Sequence, residues 1–149
     1  MVTLIGMGSG SWETLSVQAQ DAVRRAGLVF GAKRLLAGLP PECTARQFAL
    51  YQPAEILETL AQAPGQDAAV LYSGDTGFYS GASGLLTPLR ALGIPARVYP
   101  GVSSIQLLAA ALGRPWQDWK LVSAHGCACD PVAQCMTERS VFFLTGGAE

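Results

Sequence analysis

The chain alternates short apolar runs with longer stretches in which apolar residues recur every three or four positions. Runs at residues 2–5, 28–30, 68–72, 96–99, 120–123 and 140–144 predict strands, and residues 44–48 predict one more. Helical spacing predicts helices near 14–26, 33–37 and 79–92, and another beginning at Val102. Pro53 suits the first turn of a helix that carries Ile56, Leu57 and Leu60 inward. Leu15, Ala19, Ala22, Val23 and Ala26 share one helix face, with Gly27 as the stop. Val102, Ile105, Leu108, Ala109 and Leu112 form the expected buried side of the later helix. Gly38 and Pro40-Pro41 end the short helix at 33–37, and Asp130-Pro131 supplies cap and first turn for another. This β-α-β-α rhythm, with apolar strands, predicts an α/β fold: an open, mostly parallel sheet with helices on both faces.

Three predicted strands end in polar loops that bear glycine: Gly6-Met7-Gly8-Ser9-Gly10, Ser73-Gly74-Asp75-Thr76-Gly77 and Pro100-Gly101-Val102-Ser103-Ser104. Ligands of open α/β sheets bind beyond the carboxyl ends of strands, so three such loops on one edge would make one small-molecule site. The first loop is not the dinucleotide fingerprint. Ser11 stands where the third glycine belongs, and Leu28-Val29-Phe30 has no acid for a ribose. No Gly-Lys-Ser/Thr triplet marks a P-loop either. Its glycines serve a tight turn or a ligand contact. Asp75 has two readings as well, a cap for the following helix or a carboxylate presented to a cationic ligand. Ser103 and Ser104 could cap a helix or offer hydroxyls to an amino-acid-like ligand at its N-terminus.

Composition narrows the classes. Half of the 149 residues are hydrophobic and 14% are charged, which fits an ordered domain with a real core. Ten basic against eleven acidic residues, with no basic run, argue against a nucleic-acid partner. Lys33-Arg34 and Arg24-Arg25 are pairs that solvate helix faces or, locally, form a basic rim for a polyanionic small molecule. No apolar stretch reaches the ~20 residues of a membrane span, and no basic region precedes the apolar N-terminus, so no membrane association and a cytoplasmic location are expected. Reduced thiols are therefore expected for Cys43, Cys127, Cys129 and Cys135. His125, Cys127, Cys129 and Cys135 could together offer zinc ligands, but the spacing is irregular. A flexible loop with ordinary thiols and no metal is the favoured reading. Trp116 and Trp119 flank Asp118 and read as a staple between helix and sheet. No Ser-His-Asp, paired-carboxylate or HExxH pattern occurs, and there is one histidine. Methyl transfer from a sulfonium suits so few proton-transfer groups, because the leaving thioether is neutral and the reaction rests on orientation and exclusion of water.

These segments together resemble the tetrapyrrole methylases, in particular the branch acting on C5 of cobalt-precorrin-7 or precorrin-6Y. The resemblance rests on Ile5–Gly10, Gly31-Ala32-Lys33-Arg34-Leu35-Leu36, Ser73–Gly81, Pro100–Ala110 and Trp116–Gly126, in the family's order over nearly the whole chain. It implies a two-domain enzyme, usually a homodimer, that uses S-adenosylmethionine as methyl donor in cobalamin biosynthesis. Residues 1–139 would be the N-terminal domain and 140–149 the start of a truncated C-terminal domain. Carried over by position, Ser73, Gly74, Asp75, Thr76, Gly77 and Tyr79 would line the cofactor, together with Ser103 and Ser104. Gly8, Ser9 and Gly10 would face the tetrapyrrole substrate.

The sequence also departs from the family pattern. Ser9 replaces a usual proline, which should loosen the first loop. Thr76 stands where many relatives have proline, and Cys127 replaces a common arginine. With much of the second domain absent, the isolated chain is expected to bind S-adenosylmethionine poorly and to methylate slowly or not at all. No catalytic base is assigned. A separate partner would carry any C15 methylation and decarboxylation. The alternative is a non-catalytic binding or assembly module of the same fold; a nucleotide-binding Rossmann domain is disfavoured by the missing fingerprint.

Overall fold

The computed structural model describes residues 1–124, 129–137 and 140–145. The chain divides into two compact units, Met1–Ser104 and Ile105–Glu149. The first is built on five parallel strands: β1 (Val2–Gly6), β2 (Leu28–Phe30), β3 (Arg46–Phe48), β4 (Ala68–Tyr72) and β5 (Ala96–Tyr99). Their spatial order is β3-β2-β4-β1-β5. Register is direct, with Leu4 beside Val70 on one flank of β1 and beside Val98 on the other.

Helices cover both faces of this sheet, which is why its central strands are continuously apolar. On one face Val2, Leu4, Leu28, Phe30, Ala68 and Val70 pack with Ile56 of α3 (Pro53–Ala61) and with Ala82, Leu85 and Leu89 of α4 (Ala82–Ala91). On the other, Ile5, Met7, Val29, Ala69 and Leu71 meet Ala19 and Val23 of α1 (Val17–Arg25) and Leu35 of α2 (Lys33–Leu36). Alternate residues of each strand thus go to opposite layers, as the period-two geometry of a strand requires. The fold class expected from the sequence is the one found.

Several boundaries differ from expectation, each for a local reason. A 3-10 turn at Trp12–Thr14 precedes α1, whose N-cap is Ser16; its hydroxyl oxygen accepts the Ala19 N–H at 3.2 Å. Leu15 is buried ahead of the helix. Gly27 is not the helix stop. The chain has already turned extended at Ala26, and the Gly27 N–H donates to the Asp67 carbonyl at 2.8 Å on the way into β2. The helix expected from residue 79 begins at Ala82, because residues 76–81 form an irregular loop in which Tyr79 has φ 47°.

The second unit takes in all but the first residue of α5 (Ser104–Leu112), then β6 (Lys120–Ala124), α6 (Pro131–Thr137) and β7 (Val141–Thr145). Strands β6 and β7 form a separate parallel pair, with Lys120 beside Val141 and Ala124 beside Thr145. Asp130 caps α6 as expected, its Oδ1 accepting from the N–H groups of Val132 and Ala133 at 3.0 and 3.2 Å. The burial expected along α5 holds for Ile105 and Ala109 and fails for Leu108 and Leu112, which are exposed. Trp116 is exposed too, so it is no buried staple. No helix among the described residues is long and apolar enough to cross a membrane.

Candidate functional site

Strands β4, β1 and β5 are adjacent and parallel, so the three glycine-bearing loops leave the same edge of the sheet. Chain direction makes this edge special. The chain leaving β1 leads to α1 on one face, and the chain leaving neighbouring β4 leads to α4 on the other. That divergence is the switch point at which open α/β sheets take ligands.

Here the switch point is closed by backbone. The Met7 N–H donates to the Tyr72 carbonyl at 2.8 Å, prolonging the β1–β4 pair. One step further, Gly8 and Gly74 form an antiparallel bridge: the Gly74 N–H donates to the Gly8 carbonyl at 2.8 Å, and the Gly8 N–H to the Gly74 carbonyl at 3.1 Å. The third loop is drawn into the same knot. A Cβ on Gly101 would lie 2.2 Å from the Gly74 oxygen and 2.5 Å from the Gly6 carbonyl, so only glycine allows this approach. Backbone therefore fills the inner side of this edge.

Asp75 fastens the arrangement. Its Oδ1 accepts the Gly101 N–H and its Oδ2 the Gly77 N–H, each at 3.0 Å. The carboxylate does accept backbone N–H bonds, but from loops; α4 starts only at Ala82, so Asp75 does not cap it. Beside it, the Thr76 hydroxyl donates to the Tyr99 carbonyl at 3.3 Å, a second tie from the β4 loop to the end of β5. Ser103 is buried, and its Cα passes 3.8 Å from where a Cβ of Gly74 would lie. Ser104 begins α5 and is exposed.

The remaining expected site residues divide by exposure. Ser9, Ser73 and Gly77 are exposed on the loops, and Gly10 is half-buried. Tyr79 is 56% exposed in a left-handed conformation that residues with side chains seldom adopt, its ring edge-on to Phe78 at 4.9 Å. Next to the first loop, the Ser11 hydroxyl donates to the Glu13 carboxylate and holds it below the usual carboxylate range. At the root of the second loop, burial pushes the Tyr72 phenol up to about 12.

Two participants were not singled out as site residues from the sequence. Arg34 of α2 reaches across the edge and donates from Nη2 to the Ser73 hydroxyl oxygen. Gly38, read as a helix stop, carries the close approach of α2's end to the Gly10 carbonyl. The available signal was Gly31-Ala32 at the end of β2, a fourth strand end like the other three. Of the four weighed metal ligands, His125 and Cys127 lie outside the described residues; Cys129 and Cys135 are free thiols, half-buried and exposed.

A sequence profile of the Tetrapyrrole (Corrin/Porphyrin) Methylases matches residues 1–146. The chain belongs to this family. Its members are S-adenosylmethionine-dependent methyltransferases. Among curated methylases, the chain is 33% identical over 147 residues to the cobalt-precorrin-7 C(5)-methyltransferase of Salmonella typhimurium, covering 97% of this chain and 71% of that one. It is 30% identical over 133 residues to the probable cobalt-precorrin-7 C(5)-methyltransferase of Methanocaldococcus jannaschii, covering 85% of this chain and 61% of that one. Among solved methylase structures, the uroporphyrin-III C-methyltransferase of Thermus thermophilus complexed with S-adenyl homocysteine superposes with a TM-score of 0.67 at 23% identity. That match covers 89% of this chain and 60% of that one and bears on the fold. The chain thus spans between three-fifths and about seven-tenths of the length of these relatives.

Proposed function

We propose that this chain carries the donor-binding part of an S-adenosylmethionine-dependent methyltransferase that acts in cobalamin biosynthesis on C5 of a cobalt-precorrin, cobalt-precorrin-7 or precorrin-6Y. The observation that carries the reading is the knot of β1, β4 and β5 loops. It fixes a strip of peptide groups and hydroxyls at the switch point of the sheet while leaving Ser73, Gly77 and Tyr79 exposed. The C5 assignment is supported by the two C(5)-methyltransferases to which the chain is similar.

The donor set suits S-adenosylmethionine. The exposed hydroxyls of Ser73 and Ser104 and the loop peptides can meet its ribose and amino-acid polar groups. The exposed Tyr79 ring offers a flat apolar face to its base. When bound, it would supply a methyl group on a positively charged sulfur, and an electron-rich ring carbon would take that methyl in line as the carbon–sulfur bond breaks and the neutral thioether leaves. The Ser73–Gly77 loop, Tyr79 and Ser104 hold and orient the donor, with Ser103 buried behind them. Ser9 and Gly10, carried by the bridged and buried Gly8, face the tetrapyrrole. Because the bridge and the Asp75 ties are made by the chain's own groups, the loops are braced for the transition state. No side chain is assigned the proton that leaves the methylated centre.

The full-length enzyme is proposed to be a cytoplasmic homodimer whose second domain opens near residue 140; a separate partner carries any C15 chemistry. Exposed Leu107, Leu108, Leu112 and Trp116 support an assembly surface. A chimera tests the function. This chain replaces the matched 147-residue span of the Salmonella methyltransferase. Mass spectrometry should find cobalt-precorrin-7 heavier by one methyl group. A folded chimera that binds S-adenosylmethionine but transfers nothing favours the non-catalytic module instead.

A further inference from the structure

One charged side chain on this edge is unexplained by the fold. Arg34 is exposed, and its Nη2 donates to the Ser73 hydroxyl oxygen, on the loop that leaves β4. Its other terminal nitrogen lies 3.6 Å from where a Cβ on Gly10 would stand, on the loop that leaves β1. The guanidinium therefore sits where the two ligand loops meet, on the outer side of the Gly8–Gly74 bridge. Among the described residues no carboxylate pairs with it. Nearby Asp75 has both oxygens engaged by the N–H groups of Gly77 and Gly101.

A guanidinium keeps its charge at any physiological pH and presents five N–H donors in a rigid fork. Here a neutral hydroxyl takes up one edge of the fork, and solvent meets much of the rest. Ser73 does not neutralise the charge. It aims it. A positive, pre-aimed fork beside a loop edge is suited to a carboxylate bound through two parallel hydrogen bonds.

We propose that Arg34 is the anchor for a peripheral carboxylate of the tetrapyrrole, and that its bond to Ser73 sets where that carboxylate lies relative to the methyl donor. The proposal rests on the methylase reading above. Tetrapyrroles of corrin synthesis are rings edged with acetate and propionate groups, so a fixed cation orients the ring as well as attracting it. Since Ser73 belongs to the donor loop, one side chain registers the two reactants against each other. The role differs from that of Asp75, which ties loop to loop and needs no ligand.

The test is equilibrium titration of the chimera described above with cobalt-precorrin-7 and, separately, with S-adenosylhomocysteine, using the parent, Arg34→Gln and Arg34→Lys. Loss of a charge-assisted, two-pronged hydrogen bond should weaken tetrapyrrole binding by about tenfold to a hundredfold in Arg34→Gln. Arg34→Lys should fall between Gln and parent, because it keeps the charge and loses the fork. S-adenosylhomocysteine binding should stay within about twofold, and Arg34→Gln should flatten the salt dependence of tetrapyrrole binding. Equal loss of both ligands would make Arg34 a mere support for the Ser73 loop and overturn the proposal. An unchanged tetrapyrrole affinity in Arg34→Gln, with the parent binding both ligands, overturns it and leaves the methylase reading intact. A folded parent chimera that binds neither ligand brings down both. Arg34 is exposed, so thermal melting of the variants should match the parent and exclude misfolding as the cause.

Discussion

The two rims of the five-stranded sheet both depend on glycine, for different physical reasons. At the rim where β1 and β5 end, Gly101 is required because another backbone occupies the place of its side chain, 2.2 Å from a would-be Cβ. At the opposite rim, Gly93 precedes β5 with φ +66° and nothing within 4 Å of a would-be Cβ. The first glycine makes loops touch; the second only turns the chain. Glycine content alone cannot tell a binding edge from a turn, and what separates the two is whether backbone meets backbone.

Substitutions at these positions test the contrast directly. Gly101→Ala should cost the most, about 3 kcal/mol in urea unfolding, since rigid backbone must part to admit a methyl. A loss below about 1 kcal/mol would show that the knot yields easily and that the contrast is false. Asp75→Ala comes next, at about 2 kcal/mol, because two loop N–H groups lose a charged acceptor. Asp75→Asn keeps one oxygen and should recover part of that loss. Gly93→Ala should cost about 1 kcal/mol, the strain of a left-handed alanine with room around it. Should Gly93→Ala prove as damaging as Gly101→Ala, the two rims would not differ in kind.

The smallest effect at neutral pH concerns Tyr72, the last residue of β4. Burial raises its phenol from the ordinary 10 to about 12, so the folded chain keeps the proton longer than the unfolded one. Its contribution to stability is complete below pH 10 and is lost as pH climbs from there through about 12. Tyr72→Phe should flatten that part of an alkaline unfolding curve and leave pH 7 stability nearly unchanged. An identical alkaline limb in the variant would assign the titration elsewhere.

Much of the fold was legible because strands buried on both faces leave unbroken apolar runs. Leu4-Ile5 and Val70-Leu71 each send one residue to either layer, and no polar alternation blurs them. The three loops were legible for the same reason, since each interrupts such a run abruptly. Where the sequence misled, non-local contacts decided. Gly27 looked like a helix stop, but its N–H answers to Asp67 across the sheet. Tyr79 looked like helix, but the chain turns left-handed there before α4 begins. Leu108 and Leu112 followed the apolar period of α5 and lie exposed, because period records which face is apolar and not what covers it. Arg34 was read as a surface charge or a basic rim; its place at the site comes from a contact spanning 39 residues.

The rung between Gly8 and Gly74 also restricts how this edge can be remodelled. Inserting or deleting a residue between Gly6 and Gly8, or between Tyr72 and Gly74, would throw the rung out of step with the β1–β4 ladder beneath it. Both arms would then be re-pitched together. Substrate preference in such a scaffold can be retuned by exchanging the groups mounted on the arms, and hardly at all by altering their length.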